Sequence, residues 1–346
     1  MQFSEKPHLE IICESENEFL NFFLPWGGRN FVSKLPNNDI NIRDYVYRGH
    51  SCDSFKLIPS SFRDEGIKTM IDIIHATDES YEEIKNSIEG SVLLEYLCLR
   101  EFMVNCDSIG LYIPPGKHNS YLFNKTNDMQ GTYRDIKEKI DIWIPSDFTE
   151  ILSIAQHYGM PTRMLDWSYD PFVAVYFSSL EDKTETKDEG DFFSVWMINK
   201  KFIFNNARDP KFEEYHGVIN SHTPHYSWNK NIFAQKGLFS YTPVNIKNLK
   251  KATDLLNFKK TKNSILSVDE IIIENIKHNR EKEYYEKESL KKEKIRKDIT
   301  NSIIEIKLNK KHKKKIRYYI DGLGYSKKTI FPSYENVIRE LKLREF

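Results

Sequence analysis

Apolar residues recur along the chain at two spacings, every third or fourth position and every second, and the switches between them predict the elements. Ser15-Glu16-Asn17-Glu18 ahead of Phe19, Leu20, Phe22 and Phe23 predicts a short helix that Pro25 and Gly27-Gly28 end. Asp44-Tyr45-Val46-Tyr47-Arg48 alternates and is rich in β-formers, which predicts a strand broken at Gly49. Residues 51–63 read as a loop containing Pro59. Ile84, Ile88, Val92, Glu95, Leu99 and Phe102 fall three or four apart, predicting a long helix from about Tyr81 to Cys106. Residues 107–145 hold Pro114-Pro115-Gly116, Asn119-Ser120 and few periodic apolar positions, so they read as a long loop with a short helix near Tyr133–Ile140.

Ser146-Asp147 caps a helix over Phe148–Tyr158 that Gly159 stops, and Asp170-Pro171 opens the next. Phe192–Ile198 is apolar on nearly both faces, as a central strand is. Residues 232–243 predict a further strand or hairpin around Gly237. From Asn275 to Asp298 charge replaces periodicity, which reads as a solvated helix or an excursion. Ser302–Leu308 alternates again, Ile304, Ile306 and Leu308 against Glu305 and Lys307, and the core resumes. A helix over Lys310–Asp321 ends at Gly322, and Phe331-Pro332 precedes a last helix over Tyr334–Leu343. The fold expected is α+β, a central mixed or antiparallel sheet built from strands near 45–48, 192–198, 232–242 and 302–308 with helices around it. Core-like strands stand on both sides of the charged excursion, so one elaborated domain is more economical than two.

Composition narrows the class without giving a function. The 346 residues suffice for one large domain or about two. Twenty-two Phe, 19 Tyr and 5 Trp favour a packed core over disorder. Fifty-one basic residues balance 51 acidic ones, which argues against a chain that coats nucleic acid along its whole surface. The longest apolar runs, such as Phe172–Phe177, fall far short of the ~18 residues of a membrane span. Met1-Gln2-Phe3-Ser4-Glu5-Lys6 lacks the basic-then-apolar order of a secretory signal. Cys13, Cys52, Cys98 and Cys106 form no CxxC pair and no disulfide framework, as expected of small buried hydrophobes in a reducing, cytoplasmic setting.

Three motifs and one charge cluster offer chemistry. Tyr47-Arg48-Gly49-His50, at a strand end, presents a guanidinium fork suited to phosphate or carboxylate, and Gly49 allows close backbone approach. The same arginine also suits a core ion pair. Gln156-His157-Tyr158-Gly159-Met160-Pro161-Thr162-Arg163-Met164-Leu165-Asp166-Trp167 packs polar groups between two apolar helical runs. If buried, those groups need partners; Arg163 with Asp166 is the internal pair, and the stretch is either a hydrogen-bonded turn or a ligand pocket. His157 has no second His, Cys or nearby carboxylate at metal spacing, so no metal is expected. In Asn231–Phe239, Gln235 and Gly237 interrupt a strand-like run, as a bulge would. Lys307, Lys310, Lys311, Lys313, Lys314, Lys315 and Arg317 put seven positive charges in eleven residues, a solvated helix face or a phosphate-contacting patch.

These motifs, in this order, resemble the FRG domain family, named for its Phe/Tyr-Arg-Gly signature. Tyr47-Arg48-Gly49 with Leu57-Ile58-Pro59-Ser60-Ser61-Phe62-Arg63 is similar to its opening block, residues 156–167 to its longest signature, and Ala234-Gln235-Lys236-Gly237 and Ile330-Phe331-Pro332 to its closing blocks. The resemblance runs from about residue 15 to 346, with 107–145 and 255–300 outside the pattern as insertions. It implies a bacterial or phage-associated domain, with a toxin or phage-defence effector as one setting. A second resemblance is to ADP-ribosyltransferases: a strand ending in Tyr-Arg-Gly, and a turn followed by the helix of Pro171-Phe172-Val173-Ala174-Val175-Tyr176-Phe177. It implies that kind of fold and NAD as substrate, with no metal. Tyr47, Arg48, Gly49, Gln156, Tyr158, Thr162 and Arg163 would then hold NAD, and Arg48, His157, Asp166 and Gln235 would act on it. Those enzymes carry a late catalytic Glu where this chain has the neutral Gln235, and Asp166 is the candidate to replace its charge. The other expectations are a non-catalytic module sensing a nucleotide or other anion, and nucleic-acid contact through Lys310, Lys311, Lys313, Lys314 and Lys315.

Overall fold

The computed structural model describes residues 2–3, 6–24, 41–76, 88–117, 136, 138–181, 190–204, 219–227, 229–246, 267–281 and 288–343. The sequence-predicted helix over 133–140, the start of the helix from residue 81 and residues 255–266 of the charged segment therefore fall largely outside the described residues. The described residues form ten strands, most of them on alternating or continuous apolar runs: β1 (Gln2–Phe3), β2 (Leu9–Ile12), β3 (Tyr45–His50), β4 (Ile142–Trp143), β5 (Met164–Ser168), β6 (Phe192–Asn199), β7 (Asn220–His222), β8 (Gly237–Tyr241), β9 (Val244–Asn245) and β10 (Ile303–Asn309). Eight join one sheet in the order β1-β2-β10-β6-β3-β5-β8-β7, while β4 pairs with β9. β2 and β10 run parallel and the other neighbours antiparallel, so the sheet is mixed and the fold α+β, as expected.

All four expected strands lie in that sheet, and β6 is central, with β10 on one side and β3 on the other. Helices Glu16–Phe22, Pro171–Ser178 and Lys313–Gly322 cover one cluster of buried side chains. Helix Val268–Glu281 packs Ile272 and Ile276 into a second cluster with Val46, Trp196 and Ile198. The third is built on helices Asp64–Ile74, Ile88–Ser108 and Thr149–His157. Gly159 takes φ 97° and stops the last of these, where an L side chain would be strained. The four cysteines are free, three buried and Cys106 partly so. No described helix is long and apolar enough to cross a membrane.

The structure corrects the reading of the strands at three places, and Ser146-Asp147, expected as a helix cap, lies instead within a 3-10 turn that leads into helix Thr149–His157. Gly49 does not break β3, which continues to His50 in register with Val195 and Ser194 of β6. Glycine is needed instead for helix Pro171–Ser178 to cross the strand: a Cβ at residue 49 would lie 2.0 Å from the Ala174 carbonyl oxygen. Residues 232–234, the start of the stretch expected as strand or hairpin, belong instead to helix Lys230–Ala234, which the Asn229 side chain caps by accepting from the Ile232 N–H at 3.1 Å. Lys236 at φ 46° then turns the chain into β8, where Gly237 opens the strand rather than bulging it. Lastly, Met164–Ser168, expected as part of a turn, is the strand β5.

Asp170 shows how the helix after β5 is fixed. Its Oδ1 accepts from the Phe172 N–H at 3.0 Å, ahead of Pro171 at the first helical position. Its Oδ2 accepts from Lys236 Nζ at 2.7 Å and Tyr325 Oη at 2.9 Å. Asp170→Ala is expected to destabilise the fold by about 2 kcal/mol, combining a lost cap and lost charge-assisted bonds, in a urea titration.

Candidate functional site

β3 and β6 pair through six residues, but β3 and β5 share only the register pair Tyr47↔Ser168. Beyond that pair the strands part, and a cleft of about 220 Å³ opens between them. Arg48 stands in the opening. Its Nη1 donates to the Asp166 carbonyl oxygen at 2.8 Å, which the separation leaves without a strand partner, and to Asp166 Oδ1 at 2.7 Å. Its Nε donates to His50 Nε2 at 3.2 Å. Arg63, also lining the cleft, gives Nε and Nη2 to the Ile58 carbonyl oxygen at 2.9 and 2.6 Å. Each guanidinium keeps one terminal NH2, Nη2 of Arg48 and Nη1 of Arg63, with no hydrogen bond among the described residues. Phe55, Phe177 and Gln235 also line it.

Electrostatics fixes the cleft's charge. Partial desolvation raises the Asp166 carboxyl, but the Arg48 charge and hydrogen bond, with Arg63 behind them, hold it below its ordinary value. His50 is pushed well below 6.5 by burial and then by the charges of Arg48 and Arg63, so it is neutral at neutral pH. Two guanidiniums thus face one ionised, half-exposed carboxylate, an excess of positive charge. Neither Asp166 nor His50 changes charge between about pH 7 and about pH 8, since the ordinary values of both already lie below that window and both are depressed further. A ligand of fixed charge such as ADP-ribose is therefore expected to bind with one dissociation constant at both ends of it. A tenfold change in a calorimetric titration would contradict this charge assignment.

Of the sequence-predicted residues, Tyr47, Arg48, Gly49, Asp166 and Gln235 line the cleft. Tyr47 is buried, its hydroxyl donating to the Ile42 carbonyl oxygen and so turned to a structural role. Gln156 sits behind Asp166, donating to Oδ1 at 3.4 Å, and Thr162 donates its hydroxyl to Gln156. Gln235 donates to the Ile330 carbonyl oxygen at 3.3 Å, which ties the second motif's cleft to the Ile330-Phe331-Pro332 block.

Three predicted residues are elsewhere. His157 bonds with the Asn231 side chain and does not line the cleft; Tyr158 is 78% exposed beside it. Arg163 turns into the core instead of pairing with Asp166. Its Nε donates to Glu95 Oε2 at 2.6 Å, and Glu95 also accepts from the Trp143 indole and the Ser61 hydroxyl. Sequence carried a signal for this pair: Glu95 is the one carboxylate on an apolar helical stripe, a place where a buried charge needs a cation. Arg63 and His50 were missed as site residues because nothing in a loop or strand end marks which side chains will converge.

The basic cluster is likewise divided. Lys307 is buried among Glu10, Asp53 and Glu305, and Lys313 is buried with Nζ donating to the Leu180 carbonyl oxygen at 2.9 Å. Arg317 stacks 3.8 Å over the Tyr176 ring. The exposed lysines of the five predicted for nucleic acid are Lys311, Lys314 and Lys315, the last paired with Glu16 at 3.3 Å.

The polar stretch that backs the cleft lies in a recognisable segment. The family model of the FRG domain matches residues 117–187. That segment is similar to the FRG domain. The FRG match contains Gln156, Asp166 and helix Pro171–Ser178, and it begins inside the segment 107–145 expected as an insertion. Arg48, Arg63 and Gln235 lie outside the matched span and reach the FRG segment through β3, the loop after it and β8. No curated protein and no solved structure matches the chain, so the resemblance to ADP-ribosyltransferases has no structural neighbour behind it.

Proposed function

We propose that the cleft binds the phosphate-bearing part of a nucleotide-class ligand, with NAD as the candidate. The observation that carries this is the pair of guanidiniums, each with a terminal NH2 unspent, around a single ionised carboxylate. Such forks match phosphate oxygens bidentately, and a charge held in a cleft with apolar walls is screened less than one on an open surface. A volume of about 220 Å³ is below the roughly 300–1,000 Å³ of a site enclosing a whole small molecule, so the cleft takes a fragment: a phosphate with its ribose, or a single ring. Phe55 and Phe177 offer apolar faces to that ring.

A second reading, cleavage of NAD, is favoured by Asp166. It is ionised and half exposed at the cleft wall, as a carboxylate must be to stabilise positive charge on the ribose. The C1′–N bond would break, its electron pair leaving with neutral nicotinamide, and water or an acceptor hydroxyl would bond to C1′ and release a proton. Gln235 cannot supply that charge. Incubating the full chain with NAD and measuring both nicotinamide release and melting temperature tests the two together. A shift without nicotinamide supports the binding module; release that Asp166→Asn abolishes supports cleavage. No shift with NAD, ADP-ribose or other nucleotides overturns both.

A further inference from the structure

A second cluster lies two strands away on the sheet. Glu10 of β2 and Glu305 of β10 are cross-strand partners, and Trp196 of β6 is the next residue in the same row, followed by Arg48 of β3. His8 stands beside them, its ring 4.8 Å from that of Trp196. We infer that His8, Glu10 and Glu305 form a site for a divalent transition-metal ion of the Zn2+ or Mn2+ class. All three are more than nine-tenths buried, and one ligand atom from each lies within 4.8 Å of the other two. Small side-chain adjustments bring such atoms to the ~2.0–2.2 Å bonds that these ions form with imidazole and carboxylate.

Two observations point to an ion. Neither ring nitrogen of His8 makes a hydrogen bond, although the residue is 7% exposed and its Nε2 lies 3.5 Å from Glu305 Oε2, and Glu305 Oε1 and Asp53 Oδ1 are also unpartnered. Buried polar atoms are rarely left so, because each costs desolvation that nothing repays. Charge is also unbalanced. Glu10, Asp53 and Glu305 surround the buried Lys307 ammonium at 3.0, 3.0 and 3.5 Å, three carboxylates on one buried cation. Lys6 reaches Glu10 and Glu305 from the solvent side, with its own side chain 44% exposed. A divalent ion on His8, Glu10 and Glu305 would neutralise the remainder, with Lys6 released to water and Lys307 kept by Asp53. One imidazole with two carboxylates disfavours Mg2+, which prefers oxygen and water. The site is roughly 10 Å, two strand spacings, from Arg48, so its role is to fasten β2 to β10 rather than to touch the cleft ligand.

The test uses the full chain, stripped with chelator and then dialysed against Zn2+ or Mn2+. One equivalent retained by elemental analysis, with a melting temperature several degrees above the stripped protein, is expected. His8→Asn and Glu305→Gln should each lose that equivalent. Substitution with Co2+ reads the ligands in the unaltered chain, whatever the variants' stability: an oxygen- and nitrogen-ligand spectrum without a thiolate charge-transfer band is expected. No retained metal, retention undiminished in folded His8→Asn, or a thiolate band would overturn the assignment.

Discussion

Arg163→Ala is expected to cost about 3–5 kcal/mol of stability, the range for removing one partner of a buried ion pair. Arg163 and Glu95 are 2% and 3% exposed, so the carboxylate left behind would keep only the Trp143 indole and the Ser61 hydroxyl. The loss is a large part of the roughly 5–15 kcal/mol that a domain possesses. Glu95→Ala should cost a comparable amount by stranding the guanidinium. Replacing both together, Glu95→Leu with Arg163→Met, removes two charges that each needed the other and should restore most of the loss. Urea titrations of the single and double variants decide it. A single-variant cost under about 1 kcal/mol, the scale of a solvated surface pair, would contradict the burial. The consequence for function is that Arg163, inside the FRG signature, holds helix Ile88–Ser108 against the segment that carries Asp166 and leaves ligand contact to others.

Gly49→Ala is the second large effect. The added methyl would meet the Ala174 carbonyl oxygen at 2.0 Å and the Ser178 nitrogen at 2.6 Å, both backbone atoms that no rotamer change can move. β3 or helix Pro171–Ser178 must shift bodily, and about 3 kcal/mol or more is the expected cost of that overpacking. Arg48 is the preceding residue, so the displacement also moves its guanidinium relative to Asp166. A lowered melting temperature together with weakened ADP-ribose binding is expected; an unchanged melting temperature would mean that the strand and helix do not meet as closely as described. The conformational freedom of glycine is not the reason for this residue. Its lack of a side chain is.

How much of this was legible in the sequence varies with range. Phe192–Asn199 and Ile303–Asn309 announced themselves by β-spaced apolar residues, and Asp170-Pro171 by capping chemistry, since both signals are local. Gly49 misled because a strand-breaking residue and a residue crossed by a helix look the same until the helix is placed. Residues 232–234 misled because the five-residue helix that holds them is too short for periodicity to separate it from a strand. Arg48 and Asp166 each stand out in the sequence as polar motif residues, but their pairing does not: they are 118 residues apart in the chain and 2.7 Å apart in space. Their union depends on β3 and β5 parting after one register pair, which no motif encodes. The alternation of Glu305 and Lys307 with Ile304 and Ile306 predicted a strand, yet both faces are buried because helices cover each side of the sheet. A charged side chain on a buried face then demands partners, and Glu10, 295 residues earlier, could be found only in space.

The central claim is that Arg48 and the ionised Asp166 frame a site for a phosphate-bearing ligand. Calorimetric titration of ADP-ribose into the wild-type chain, Arg48→Ala and Lys311→Ala tests it most directly. Saturable binding at one site, weakened at least about tenfold by Arg48→Ala and unchanged by Lys311→Ala, is the predicted result, tenfold being the loss of about 1.4 kcal/mol. Binding of equal strength to Arg48→Ala, or its loss in Lys311→Ala instead, would contradict it.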